Sequence, residues 1–118
     1  MRIAIFTVCR RATVENGRLS IIDAYGGLVV PQVPIRAELT IATRLFFCAE
    51  EEGEFSAKMR VVDPDGKELA ESPIRMTVPI PEEDATGIYV DSVGGFSLTV
   101  RTLGEYQFHF VQLQLFPK

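Results

Sequence analysis

Apolar and polar residues alternate along much of this chain. The alternation is longest over residues 104–116, which carry no charged residue between Tyr106 and Phe116. It is most regular over residues 35–47, where the apolar residues on odd positions are Ile35, Ala37, Leu39, Ile41, Leu45 and Phe47. Successive side chains of a β-strand point to opposite faces, so a period of two predicts strands that bury one face.

Turn-forming residues separate the alternating segments. Asn16-Gly17 suits a tight hairpin after a first strand over residues 2–9, because both central positions of such a turn need positive φ. Asp63-Pro64-Asp65-Gly66 predicts a second hairpin turn, since proline presets φ and glycine takes the left-handed position. Gly26-Gly27 is expected to mark a bulge or a bend.

Prolines, glycines and a change of parity shape the second half of the chain. Proline has no N–H to donate, so the three prolines within residues 67–85 predict a strand at a sheet edge. Gly94-Gly95 is expected to separate two short strands. In the last segment the apolar residues change from one set at even positions, which includes Phe108 and Phe110, to a second set at odd positions, which begins at Val111. A β-bulge at Phe110-Val111 would keep both sets on the core side.

We therefore predict an all-β protein with a single domain over residues 1–118. Short strands with regular turns are typical of a sandwich or a barrel. We favour a β-sandwich of seven or eight mostly antiparallel strands, and the resemblance of residues 104–108 to a corner of immunoglobulin-like domains implies that it is immunoglobulin-like. A chain of this length buries enough surface to form a core without disulfides or a structural metal.

The charge pattern narrows the possible partners. The formal net charge is -4, and no nucleic acid partner is expected because phosphate binding requires a cationic face. Residues 50–91 contain 12 acidic and 4 basic residues, which predicts either solvated acidic loops or an acidic end that docks on a basic partner.

The cellular location is expected to be the cytoplasm, without membrane contact. No apolar run reaches the roughly 20 residues of a membrane span. The apolar run at residues 1–9 is too short for a signal peptide. Cys9 and Cys48 are then expected to be reduced and mostly buried.

Residues with catalytic or metal-binding potential lack the partners that such chemistry needs. His109 is the only histidine, and the sequence implies neither a nucleophile nor an orienting acid beside it. Asp63, Asp65 and Gly66 resemble the start of a calcium loop, but the distal glutamate is not at the required spacing. A plain turn and an adventitious cation site are the two alternatives there. We predict no enzyme activity, no cofactor and no metal site.

The uncharged segment from Tyr106 to Phe116 is the candidate functional site. As a central strand it would need no explanation. As an edge strand it would be prone to pairing with other chains, because it is long, rich in β-formers and free of charge. It would then pair with a second subunit or a partner peptide. The candidate interface residues are Tyr106, Phe108, Phe110, Gln112 and Gln114.

Two resemblances support the predicted fold. Residues 104–108 resemble the Gly-x-Tyr corner of immunoglobulin-like domains, although the chain contains no Trp. The order of the motifs resembles a family of small uncharacterised bacterial proteins. The matching segments are Asn16-Gly17-Arg18-Leu19-Ser20-Ile21-Ile22, Pro31 to Pro34, Glu52-Gly53-Glu54, Val62-Asp63-Pro64-Asp65-Gly66 and residues 104–108. This resemblance covers most of the chain, implies a compact β-sandwich and brings no catalytic residues.

The expected function is that of a non-enzymatic cytoplasmic module that binds protein partners or self-associates. Its sheet edges and its acidic end would make the contacts. The alternative is a small-ligand or carbohydrate-binding β-sandwich domain. Sugar sites usually offer exposed aromatic platforms, and only Tyr25 and Tyr89 are free of an obvious core role. An enzyme, the third hypothesis, would need a carboxylate pair in a cleft.

Overall fold

The computed structural model describes residues 1–25, 32–79, 82–83 and 85–112, and its regular structure is entirely β-strand. Seven strands follow one another along the chain: β1 (Arg2–Glu15), β2 (Arg18–Ala24), β3 (Ile35–Cys48), β4 (Gly53–Val62), β5 (Glu68–Val78), β6 (Gly87–Val100) and β7 (Gln107–Gln112). The described residues contain no helix that could span a membrane.

The seven strands form two antiparallel sheets. One sheet has four strands in the order β2-β1-β3-β6, and the other has three in the order β5-β4-β7. Their apolar inner faces pack together, which confirms the predicted all-β sandwich. The immunoglobulin-like part of the prediction is not confirmed. In an immunoglobulin constant domain the first strand lies at a sheet edge, whereas here β1 lies between β2 and β3.

The core lies between the sheets and is centred on β3 and β4. The odd-numbered side chains of β3 point inward as predicted, and Leu45 and Phe47 are fully buried. Phe55 of β4 packs edge-on against Phe47, with the ring centroids 5.2 Å apart. Replacing a buried aromatic residue of this kind by alanine costs about 3–5 kcal/mol, so this contact is a large part of the stability of the fold.

The turn end of the β1–β2 hairpin lies against the outer face of β3. Its turn residues Asn16 and Gly17 have φ angles of 51° and 72°, as the predicted tight turn requires. The carbonyl oxygen of Gly17 accepts a hydrogen bond of 3.5 Å from Arg44 of β3. Cys9 and Ala42 are buried in a second apolar cluster with Ala12 of the hairpin. The strand β3 is therefore covered on both faces near Ala42.

Two predictions about the second half of the chain had different outcomes. Pro73 lies in β5, which is an edge strand as predicted. Gly94-Gly95 does not separate two strands, because β6 pairs with β3 without interruption from Gly87 to Val100. This prediction was wrong, because the pairing with β3 continues across both glycines. The predicted bend at Gly26-Gly27 lies outside the described residues.

A substitution in β6 tests how closely the outer face is packed. A Cβ at Gly87 would collide with the carbonyl oxygen of Phe47 and the ring of Phe46, whereas a Cβ at Gly94 would meet nothing within 4 Å. We expect Gly87→Ala to lower the free energy of unfolding by about 1–3 kcal/mol, since overpacking forces neighbours to move. Gly94→Ala, the matched control, should change it by less than about 1 kcal/mol in either direction. Urea titrations followed by circular dichroism measure both, and equal losses would contradict the packing described here.

The two thiols should react at very different rates. Cys9 of β1 is 0% exposed, and desolvation by burial raises the pKa of its thiol. Cys48 is exposed, contrary to the prediction that both are mostly buried. Only the thiolate reacts with disulfide reagents, so we expect one fast-reacting thiol in the native protein and two after denaturation. Cys48→Ser should abolish the fast phase, and a fast phase that persists in this variant would show that Cys9 is accessible.

Candidate functional site

The candidate interface strand, β7, lies at an edge of the three-stranded sheet. Within the described residues it pairs with β4 on one side, and no strand pairs with its other side. The hypothesis of a central strand therefore does not hold for this part of the chain. An unpaired strand edge presents a row of backbone N–H and C=O groups that can accept another strand.

The register of β7 is regular throughout. Gln107 pairs with Val62 at one end and Gln112 pairs with Ala57 at the other, with no shift between them. The predicted bulge at Phe110-Val111 was therefore wrong. The inner face of β7 needs only Phe108 and Phe110 to complete the core, so no extra residue has to turn Val111 inward.

Aromatic side chains fix β7 to both sheets. Phe108 packs edge-on against Phe96 of β6, with the ring centroids 6.0 Å apart. Phe110 packs edge-on against Phe6 of β1 at 5.7 Å and stacks with Phe55 of β4 at 6.5 Å. Pairs of this kind add about 0.5–1.5 kcal/mol to the free energy gained by burial. The strand is thus held from its inner face while its outer edge stays open.

The outer face of β7 is polar and engaged with its neighbours. The guanidinium of Arg60 lies 3.2 Å from Nδ1 of His109, and the side-chain oxygen of Gln107 lies 3.0 Å from Nε2. A guanidinium only donates, so Nδ1 accepts and the Nε2–H donates to Gln107. This arrangement gives both ring nitrogens of His109 a hydrogen-bond partner on the sheet surface.

The other sheet edges carry features that discourage pairing. On β5, Pro73 interrupts the row of backbone N–H donors, and Glu71 forms an ion pair of 2.9 Å with Lys58. This hydrogen bond from Lys58 lowers the pKa of Glu71, so the pair stays charged in mild acid. The edge strand β2 carries two charged residues, and β6 carries Asp91 and also lies against β5. The six residues of β7 include no charged residue and no Pro or Gly. Among the described strands, β7 is the edge with the least protection.

Beneath β7 the structure contains a cavity that the sequence did not indicate. It has a volume of about 510 Å³ and lies between the sheets at one end of the sandwich. Tyr106 and Phe108 belong both to its wall and to the predicted interface. The hydroxyl of Tyr106 donates a hydrogen bond of 2.7 Å to the carbonyl oxygen of Thr102, which is the bond expected of a tyrosine corner. The other wall residues come from β1, β3, β6, the loop of residues 102–105 and Tyr25 after β2. Only the loop is close to β7 in sequence, so no local motif could have identified the rest.

An aromatic patch lies on the opposite side of the molecule. Tyr89 is 54% exposed on the outer face of β6, and its ring lies 5.1 Å from that of Phe46. The guanidinium carbon of Arg2 is 5.1 Å from the centre of the Phe46 ring. Arg44 lies over the Tyr89 ring and is held by a two-pronged ion pair with Asp91, at 2.7 and 2.9 Å. The sequence singled out Tyr89 but not the residues that β3 and β1 place around it.

The remaining candidate for metal chemistry, Asp63 with Asp65, lies in the turn between β4 and β5. Oδ1 of Asp63 accepts hydrogen bonds from the backbone N–H groups of Asp65, at 3.0 Å, and Lys67, at 2.8 Å. Gly66 adopts the left-handed φ of 85° that the predicted turn requires. In the described part of the chain, no three His, Cys, Asp or Glu side chains lie close enough together to hold a metal ion.

Comparison with known proteins assigns a family. The model of the Family of unknown function (DUF6941) matches residues 4–112, so the chain belongs to this family. The predicted resemblance to an uncharacterised family is confirmed. No curated protein and no solved structure matches the chain.

Proposed function

We propose that this member of the DUF6941 family is a non-enzymatic cytoplasmic module that associates through the open edge of β7, with a second copy of the chain as its partner. The observation that carries the proposal is the absence of charge, proline and glycine from an edge strand whose inner side chains are already packed. An added strand would satisfy the backbone groups of β7 that no described strand pairs.

The packing of β7 lowers the cost of such an association. Phe108 and Phe110 are held in the core before a partner arrives, so the strand has little conformational freedom left to lose on binding. Two copies related by a two-fold axis perpendicular to the sheet would place β7 antiparallel to its symmetry mate. The two three-stranded sheets would then form one continuous six-stranded sheet.

Lysine substitutions at the ends of β7 test the proposal. Gln107 and Gln112 are exposed and stand outside the hydrophobic core, whereas Gln114 of the predicted interface lies outside the described residues. Gln107→Lys combined with Gln112→Lys should weaken self-association at least tenfold, because like charges would be brought together along the paired edge. Sedimentation velocity over a range of concentrations measures the dissociation constant.

A matched control separates the edge from the overall charge. Ser20→Lys combined with Thr99→Lys adds the same charge at exposed positions of β2 and β6. We expect this variant to associate as the natural protein does. A natural protein that stays monomeric at its highest soluble concentration would contradict self-association through β7, as would equal weakening in both double variants.

The aromatic patch on β6 supports a second candidate function, carbohydrate binding. Sugars stack their apolar faces on exposed aromatic rings and hydrogen-bond to polar neighbours. Tyr89 offers such a ring, and Arg2 beside it is a donor whose Nη2 lies 3.5 Å from the Tyr89 hydroxyl. Within the described residues Arg2 forms no ion pair with a carboxylate, so an acidic sugar is the class that this surface fits best.

A glycan array tests this second candidate. We expect binding of uronic-acid or sialic-acid glycans that is lost in Tyr89→Ala and in Arg2→Ala. Both positions are exposed, so both variants should remain folded by circular dichroism. An array without a binder, or binding that survives both substitutions, would eliminate the patch as a sugar site.

A further inference from the structure

We infer that the cavity beneath β7 is a binding site for one small apolar molecule that carries no negative charge. This goes beyond association through the β7 edge, because the cavity is reached from the end of the sandwich and not from the backbone edge. Its volume of about 510 Å³ falls within the roughly 300–1,000 Å³ of small-molecule pockets.

The side chains that line the cavity are the reason for inferring an apolar ligand. Leu39, Leu98 and Val100 contribute nearly buried side chains from the four-stranded sheet. Phe6 and Phe108 are only partly buried there and border the open space. Water in such a space has few hydrogen-bond partners, so an apolar molecule would displace it favourably.

The loop of residues 102–105 borders the mouth of the cavity, and contacts with the rest of the protein hold this loop in place. Gly104 abuts the β4–β5 turn so closely that a Cβ would lie 2.7 Å from Cγ of Pro64. The hydrogen bond from Tyr106 to Thr102 closes the other side of the same loop. A site whose rim is fixed before binding loses little entropy when it is occupied.

Two residues at the mouth point to the chemistry of the ligand. Leu103 is 72% exposed, and it would gain burial against a bound apolar molecule. Glu105 is the charged side chain among the described residues that line the cavity. Its carboxylate would repel an anionic group at the entrance and favour a neutral or cationic one.

A matched pair of fluorescent probes tests the inference. N-phenyl-1-naphthylamine is neutral, and 8-anilino-1-naphthalenesulfonate adds a sulfonate to the same skeleton. We expect the neutral probe to bind with saturable fluorescence at one site per chain and at least tenfold more tightly than the anionic one. Glu105→Gln should reduce this preference several-fold while leaving the affinity for the neutral probe unchanged.

Variants at the mouth and in the wall locate the bound probe. Leu103→Ser alters an exposed side chain, so it should raise the dissociation constant of the neutral probe several-fold without unfolding the protein. Val100→Phe should fill the space and abolish binding, with circular dichroism and the urea midpoint as checks on folding. Gln107→Lys with Gln112→Lys should leave probe binding intact, which separates this site from the β7 edge.

The inference would be overturned by any of three results. The first is the absence of saturable binding of the neutral probe to the natural protein. The second is equal affinity for the two probes in the natural protein. The third is binding of the neutral probe that Leu103→Ser leaves unchanged, because the probe would then occupy another part of the molecule.

Discussion

The contact between the inner faces of β3 and β4 is the interaction on which the rest of the structure depends. Each of these strands lies inside its sheet, and their side chains form the most deeply buried part of the core. The Phe47–Phe55 pair lies within this contact. Dispersion and hydrophobic burial are largest where large side chains are fully enclosed, so the two sheets are held together mainly through these two strands.

This central contact determines where the sandwich is open. The side at which β5 lies against β6 is closed. On the other side of the smaller sheet, β7 is the last described strand, so no described strand pairs with its outer edge. The same strand has two roles, because its inner side chains complete the core and its backbone remains available for pairing. A charged residue or a proline in β7 would protect the edge. Because β7 contains neither, we assign association to this strand.

The cavity and the β7 edge share residues, but binding at each would use different chemical groups of those residues. Phe108 and Tyr106 line the cavity through their side chains, whereas pairing at the edge would use the backbone of β7. A molecule in the cavity would pack against the inner side of β7, which the core already holds, and would leave the outer backbone edge unchanged. Binding in the cavity and association at the edge are therefore expected to be independent of each other, since neither uses the groups that the other needs.

Local patterns were enough to predict most of the strands, because a period of two and the chemistry of Asn16-Gly17 and Asp63–Gly66 act within a few residues. The odd-numbered face of β3 and the edge position of β5 were predicted in the same way. The bulge at Phe110-Val111 and the break at Gly94-Gly95 were predicted wrongly, because the neighbouring strands β4 and β3 hold these segments in regular ladders. The sequence by itself thus determined the all-β class, the main turns and an uncharged last strand. Only the tertiary structure decided that this strand lies at an edge, that a cavity opens beneath it and that Arg2 and Arg44 surround Tyr89. These features arise from pairing and packing between residues distant in the chain, and no local pattern encodes such contacts.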